Sequence, residues 1–119
     1  MELTNVTNVT LENCTPHEVV IIVTDNQEPI VIPPSGIIPR IKSETNNVGT
    51  INGIPIVKTR LSDVENMPAP KPNTIFIVSS FVAQALTYRP DVVSPDTSPS
   101  SVIRDENGLI IGVKQLQKF

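Results

Sequence analysis

Twelve prolines interrupt this chain of 119 residues, and they limit its fold more than any other feature of the sequence. Proline has no backbone N–H and fixes φ, so it breaks up the interior of helices and strands. The apolar stretches between the prolines are short and rich in Ile and Val, which fit strands better than helices. With only three Phe, one Tyr and no Trp, the core must consist mainly of these aliphatic side chains. The sequence therefore predicts a domain of short β-strands.

Strand and turn signals alternate along the chain. Runs of strand length lie at residues 19–24, 29–32, 37–43, 48–51, 54–59, 74–78, 101–104 and 109–114. Asn52-Gly53 between two apolar runs is the strongest hairpin signal, because a type I′ turn needs positive φ at both central residues. Hairpins are also predicted between the first two runs and between the last two. Residues 74–78 are apolar throughout, which indicates a central strand buried on both faces.

One short helix is predicted after the apolar run at 74–78. Ser79 or Ser80 can cap it, the body follows to residue 86, and Pro90 ends it. At helical spacing, Phe81, Ala85 and also Val82 are expected to face the sheet. Two irregular segments are expected as well, a helical turn at 61–66 and a long polar loop at 91–101.

These elements together predict the fold class and the domain organisation. The class is mainly β with one short α-helix (α+β), in which hairpins build a small antiparallel sheet or an open barrel. A chain of this length forms a single domain. We expect residues 1–12 to be an N-terminal extension and residues 13–119 to be one β-rich domain.

Charge and composition exclude several classes of function. A net charge of −3 and a pI near 5.0 argue against general binding of nucleic acid, which needs a basic surface. Cys14 is the only cysteine, so neither an internal disulfide nor a zinc site with several thiolates is expected. No apolar run approaches the ~20 residues of a membrane helix, and the start lacks the pattern of a secretory signal. The expectation is a cytoplasmic protein without metal or cofactor.

Catalytic patterns are also missing from the sequence. His17 is the only histidine and has no nearby Cys, His or carboxylate at metal-binding spacing. It can fasten a turn, contact a ligand or act in catalysis, and the sequence leaves these alternatives open. No glycine-rich phosphate loop is present, and Ser79-Ser80 lacks the glycines of a nucleophile elbow. The sequence therefore predicts a binding protein and not an enzyme.

The arginines are the best candidates for contacts with an anionic ligand. A guanidinium offers a planar fork to phosphate or carboxylate, and a Tyr ring can stack on a base. Tyr88-Arg89 beside the polar loop is thus a candidate nucleotide clamp. The alternative for Arg104 is that it holds its own hairpin together by pairing with a nearby carboxylate. The predicted ligand-binding residues are Arg40, Tyr88, Arg89, Asp96, Thr97, Arg104 and Asn107.

Several segments resemble a family of small proteins found in phages and prophages. Residues 13–19, Asn13-Cys14-Thr15-Pro16-His17-Glu18-Val19, resemble its N-L-T-P-H-x-V opening, with Cys14 where the family often has Leu. Further matching segments are Ile32-Pro33-Pro34-Ser35-Gly36 with Arg40, Gly53-Ile54-Pro55-Ile56-Val57, Ile77-Val78-Ser79 with Val82-Ala83, and Ser94-Pro95-Asp96-Thr97 leading to Arg104-Asp105-Glu106-Asn107-Gly108. The size and setting of the family resemble those of phage counter-defence proteins that sequester nucleotide second messengers, such as the anti-Thoeris sponges.

The resemblance implies a protein that sequesters a phosphorylated nucleotide signal, of the cyclic nucleotide or cyclic ADP-ribose type, in an infected or lysogenic bacterial host. In that role Tyr88 would stack on the base, and Arg40 or Arg104 would bind phosphate. Asp96, Thr97 and Asn107 would bind the sugar. The alternatives are a protein–protein inhibitor or virion-associated structural protein, and an enzyme that uses His17 or Asp96. A homo-oligomer is expected for the two binding roles, because short proline-broken strands leave apolar edges for a partner subunit.

Overall fold

The computed structural model describes residues 6–119 and contains ten strands and one helix. Residues 1–5, part of the expected extension, lie outside the described residues. The strands are β1 (Thr10–Asn13), β2 (Val19–Ile21), β3 (Ile30–Ile32), β4 (Ser43–Ile51), β5 (Ile54–Leu61), β6 (Thr74–Ile77), β7 (Val92–Pro95), β8 (Val102–Arg104), β9 (Ile110–Val113) and β10 (Leu116–Gln117), and the helix is α1 (Ser80–Ala85). The predicted class, mainly β with one short helix, is confirmed. In residues 6–119 no helix has the length and hydrophobicity that crossing a membrane would require.

The first sheet is mainly parallel, unlike the antiparallel sheet that the hairpin signals predict. Its order is β1-β6-β7-β10, and β1, β6 and β7 run parallel while β10 pairs antiparallel with β7. Parallel neighbours need a crossover connection, and α1 lies in the one between β6 and β7. A hairpin signal predicts pairing only between the two strands that the turn connects. Pairing between strands that are distant in the sequence cannot be predicted from it.

The second sheet contains two of the predicted hairpins, joined edge to edge. Its order is β3-β2-β9-β8, in which β2–β3 and β8–β9 are antiparallel hairpins. The hairpins meet where Ile21 of β2 pairs in parallel with Val113 of β9. Both sheets are open, and no closed barrel forms within residues 6–119.

Strand β6 is the centre of the molecule, as predicted for residues 74–78. Ile75 and Ile77 pack with the second sheet, in a cluster that includes Val19, Ile21, Val93 and Val113. Phe76 and Val78 point the other way, into a cluster with the helix. The alternation follows the period of two of a strand, and it makes the first sheet the middle of three layers.

The helix buries a different stripe from the predicted one. Ser79 is the N-cap, as expected, and its hydroxyl accepts a hydrogen bond from the amide of Val82. Val82, Ala83 and Leu86 are buried, whereas Phe81 is 53% exposed and Ala85 is also exposed. The prediction was therefore correct for Val82 and wrong for Phe81 and Ala85. The large apolar side chain of Phe81 suggested that it would face the sheet. The N-cap at Ser79 instead sets where the helix begins, so that residues 82, 83 and 86 face the sheet.

Two further predictions from composition were wrong. The expected loop at 91–101 contains β7, whose residues Val92 and Val93 are buried in the core. Serine and proline suggested a loop there, but burial between β6 and β10 makes the segment a strand. The expected helical turn at 61–66 is not helical: Leu61 ends β5, Glu65 forms an isolated bridge with Arg40, and the rest is irregular.

The N-terminal boundary also differs from the expected one. Residues 10–12 belong to β1 and pair with β6 from Thr74 to Phe76. The expected extension, residues 1–12, therefore contributes to the first sheet over its last three residues. The matched motif begins only at Asn13, the last residue of that strand.

Strands β4 and β5 form a separate hairpin, which we call the arm. As predicted, its turn is Asn52-Gly53, with φ of 52° and 80°. The strands are longer than the expected runs, and every residue from Ser43 to Leu61 is exposed. Most of the expected strand at 37–43 is irregular, and only Ser43 belongs to the arm.

Candidate functional site

A cleft of about 640 Å³ opens at one end of the two stacked sheets. Its lining residues come from β2 and the turn before it, from the segment after β6, from the end of β7 and the segment after it, and from β9: Thr15, His17, Glu18, Val19, Val20, Ser79, Ser80, Pro95, Thr97, Ile110, Ile111, Gly112 and Val113. Strands β6 and β7 run parallel, so their carboxyl ends deliver Ser79 and Pro95 to the same edge. This edge is where open sheets with parallel strands usually bind ligands, and the volume is typical of a small-molecule site.

The lining of the cleft combines polar and aliphatic residues. The polar residues are Thr15, Ser79, Ser80 and Thr97, which carry hydroxyl groups, together with His17 and Glu18. Val20, Ile110 and Ile111, which we call the aliphatic wall, also line the cleft, and both isoleucines are about half exposed. A ligand with a flat apolar part and several oxygen acceptors would suit this lining.

Asn13 holds the turn that carries His17. Its side chain is 1% exposed, and its Nδ2 donates to the carbonyl oxygen of His17 at 2.8 Å and to that of Ile32 at 2.9 Å. Its Oδ1 accepts from the amide of Thr15 at 2.9 Å and from the hydroxyl of Thr15 at 2.6 Å. The turn is thus fastened by Asn13, and the His17 side chain is left exposed at the mouth of the cleft.

Asp96 positions the segment that contains Thr97. Its Oδ1 accepts from the amide of Ser98 at 3.0 Å, and its Oδ2 accepts from Nε2 of Gln115 at 2.7 Å. These hydrogen bonds, that from Gln115 above all, lower the pKa of the Asp96 carboxyl. Asp96 is therefore a buried anionic anchor that supports Thr97, and the structure gives it no direct place in the lining.

The predicted clamp, Tyr88-Arg89, lies at a different cleft. This second cleft, of about 530 Å³, is lined by Ser62, Asp63, Val64, Met67, Ala85, Leu86, Tyr88 and Arg89. The Tyr88 side chain is 77% exposed and is available for stacking. The guanidinium of Arg89 is already engaged, because it donates to both carboxylate oxygens of Asp91 at 2.8 Å and to the carbonyl oxygen of Pro68. Arg89 therefore directs most of its hydrogen-bond donors to its own chain.

The other predicted residues are spread over the surface. Arg104 donates from Nη1 to the carbonyl oxygen of Gly108 at 2.7 Å and so closes its own turn. The alternative to ligand binding was that Arg104 holds its own hairpin together by pairing with a carboxylate. Arg104 does bond within its hairpin, but its partner is a backbone carbonyl. Asn107 lies in the same turn, where its amide donates to Asp105. Arg40 pairs through its backbone with Glu65 near the base of the arm.

Of the seven predicted ligand-binding residues, Thr97 lines the main cleft and Tyr88 and Arg89 line the second one. Sequence reasoning missed Ser79, Ser80 and the aliphatic wall as site residues. The sequence does show that Ser79-Ser80 directly follows the buried strand. That position identifies the two serines as site residues only once β6 and β7 are known to run parallel. The three basic residues Arg40, Arg89 and Arg104 are outside the main cleft in the described chain.

Within residues 6–119, no cluster of three or more His, Cys, Asp and Glu side chains is arranged to hold a metal ion. Comparison with protein-family models, with curated proteins and with solved structures found no match for this chain.

Proposed function

We propose that this chain binds a small nucleotide-like ligand in the main cleft and holds it without turnover. The observation that carries the proposal is the combination of the aliphatic wall with hydroxyl groups and an imidazole in one open volume of about 640 Å³. A base can lie on the isoleucines, while sugar and phosphate oxygens face the hydroxyl groups. Serine and threonine hydroxyls are common partners of phosphate oxygens.

The contacts in this proposal differ from those that the arginines suggested. Thr97 keeps its expected role at the sugar. His17, Ser79 and Ser80 replace Arg40 and Arg104 as donors to the phosphate, since these side chains line the cleft. A ligand carrying few negative charges is favoured, because Glu18 also borders the volume and would repel a highly charged anion.

Sequestration of a host nucleotide signal is the biological role that we propose for this binding. Such a role requires capture and slow release, and it needs neither a nucleophile nor a general base. The resemblance to small phage and prophage proteins supports this setting. A protein that only holds its ligand is also consistent with this lining, in which the polar side chains are four with hydroxyl groups, one histidine and the Glu18 carboxylate.

Calorimetric titration with nucleosides and with linear and cyclic mono- and dinucleotides tests the proposal. We expect saturable heat with at least one compound, and chromatography of the mixture should return it unchanged. His17→Ala should weaken binding about tenfold, the usual effect of losing one hydrogen bond to a charged group, and Thr97→Val about fivefold, since its partner is the neutral sugar.

Tyr88→Phe, which keeps the ring, and Tyr88→Ala, which removes it, are the matched controls at the second cleft. We expect neither to change affinity. Loss of binding in Tyr88→Ala but not in Thr97→Val would move the site to the second cleft and overturn the proposal. Conversion of the nucleotide to a product would contradict the role in sequestration.

A further inference from the structure

The arm has one face without a charged residue. Residues paired across an antiparallel ladder share a face, so the register sorts the arm side chains into two sets. The first set consists of Pro55, Val57, Thr59 and Leu61 of β5 with Ser43, Thr45, Asn47 and Thr50 of β4. We call this set the uncharged arm face. The second set includes all the charged residues of the two strands, Glu44, Lys58 and Arg60. It also includes three exposed isoleucines near the turn, Ile51, Ile54 and Ile56.

The uncharged arm face is uncovered within the described chain. Val57 is 53% exposed and Leu61 is 48% exposed. A two-stranded hairpin alone is at best marginally stable in water, and it usually needs a further strand or a packed layer on one face. The length of the arm and the exposure of its side chains therefore point to a surface that covers it.

An aliphatic sheet face is also uncovered on the same chain. A Cβ on Gly112 would lie 3.4 Å from Cγ1 of Val20 and 3.5 Å from Cδ1 of Ile22, so these residues share the outer side of the second sheet. The register adds Val31, which pairs with Val20, and Ile103, which pairs with Gly112. We call this set the outer sheet face. Two of its members, Val20 and Gly112, also line the main cleft, so a copy packed on this face would border the cleft as well. A sheet face directed to water normally carries polar residues, yet these are all aliphatic apart from the glycine, and Val31 is 50% exposed.

We propose that the uncharged arm face of one copy packs on the outer sheet face of a second copy, and that the exchange is reciprocal. Each copy supplies one surface of each kind, so a two-fold arrangement covers all four and closes the assembly. Each chain has a net charge of −3. Like-charged copies can approach with least repulsion where both contribute uncharged surface, which is true of this pair of faces.

The dimensions of the arm give an interface of sufficient area. Strand β5 has 8 residues, so at the usual rise and strand spacing one arm face measures roughly 27 by 10 Å. Two arms on two sheets would bury roughly 1,000 Å² in total, the lower limit for a specific protein interface. The dimer also supplies the covering layer that each hairpin needs, which adds stability to both copies.

Analytical ultracentrifugation of the full chain over a concentration series is the first test. We expect a monomer–dimer equilibrium. Val57→Glu, on the uncharged arm face, should raise the dimer dissociation constant by about a hundredfold, because the interface would bury an unpaired carboxylate. Asn46→Glu is the matched control, since it places the same charge on the opposite arm face beside Lys58, and it should leave dimerisation unchanged.

Cross-linking tests the placement even if Val57→Glu fails to fold. Val57→Cys and Val31→Cys chains are mixed and treated with a bismaleimide, while native Cys14 is only 2% exposed and should not react. A product joining the two different variants is expected. A strict monomer at all concentrations would overturn the proposal and leave the arm for another protein. Cross-links only between two Val57→Cys chains, or a dimer broken by Asn46→Glu and not by Val57→Glu, would overturn it too.

Discussion

Arg89 holds the carboxylate of Asp91 through two parallel hydrogen bonds of 2.8 Å, from Nε to Oδ1 and from Nη2 to Oδ2. Both side chains are nearly enclosed, with 14% and 10% of their surface exposed. The same guanidinium donates to the carbonyl oxygen of Pro68 and lies 5.8 Å from the ring centre of Phe76. The pair therefore ties the connector before β6 to the start of β7.

Replacing Arg89 by Met should destabilise the fold by about 3 kcal/mol, because Asp91 would remain buried without its partner. Urea denaturation measures the change. Arg89→Met combined with Asp91→Leu should recover part of the loss, since no unpaired charge is then buried. Arg60→Met on the exposed arm is the control, with an expected change within about 0.5 kcal/mol. Equal losses at Arg60 and Arg89 would contradict this interpretation.

Stability should decrease in acid because of Asp91. The hydrogen bond from Arg89, more than any other contact, lowers the pKa of the Asp91 carboxyl in the folded chain. An unfolded Asp has a pKa of about 3.9. The contribution is therefore complete at pH values above that, and it is lost as pH falls through the lower folded value. Urea midpoints between about pH 6 and pH 2.5 measure this dependence, and Asp91→Asn should be less stable at neutral pH but show a shallower decline in acid.

Asn13→Ala should destabilise the chain by about 2 kcal/mol, since the carbonyl oxygens of His17 and Ile32 would lose their buried donor. Hydrogen exchange should also increase in the turn around His17. Asn107→Ala is the control, because the Asn107 side chain lies in an exposed turn and only its backbone amide is bonded there. A stable Asn13→Ala variant with unchanged exchange would show that the turn holds without this side chain.

Ser94→Ala should leave stability unchanged or raise it by about 1 kcal/mol. The Ser94 hydroxyl is fully buried and has no hydrogen-bond partner among the described residues, so removing it also removes its desolvation cost. Ser101 is the matched comparison, being equally buried but accepting a hydrogen bond from the amide of Lys114 at 3.1 Å. Thermal melts of both alanine variants should show a loss only for Ser101→Ala.

Local chemistry was sufficient to predict the hairpins, the helix cap and the buried strand. Asn52-Gly53 specifies its turn through two positive φ angles, and Ser79 caps α1 with its own hydroxyl. These features depend on neighbours in sequence, so they can be recognised without the fold. The burial of β7 was not predictable in this way, because its serine and proline content is typical of a loop and only pairing with β6 makes it a strand.

The candidate site was predictable only in part for the same reason. Thr97 was recognised from its polar segment, but its proximity to Ser79 follows from the parallel register of β6 and β7. The arginines were predicted to bind a ligand only because a guanidinium suits phosphate and carboxylate. The structure shows that Arg89 and Arg104 satisfy carboxylate and carbonyl groups of their own chain, which residue type cannot reveal.

The parallel pairing of β2 with β9 affects how the protein folds during its synthesis. Ile21 pairs with Val113, so the second sheet joins segments that are 92 residues apart in the chain. During synthesis the hairpin of β2 and β3 cannot pair with β9 until the residues around Val113 have left the ribosome, and its valines and isoleucines stay exposed until then. Strand pairing between such distant segments slows folding and prolongs the exposure of apolar surface that can aggregate. Newly made chains should therefore depend on chaperones more than their small size suggests.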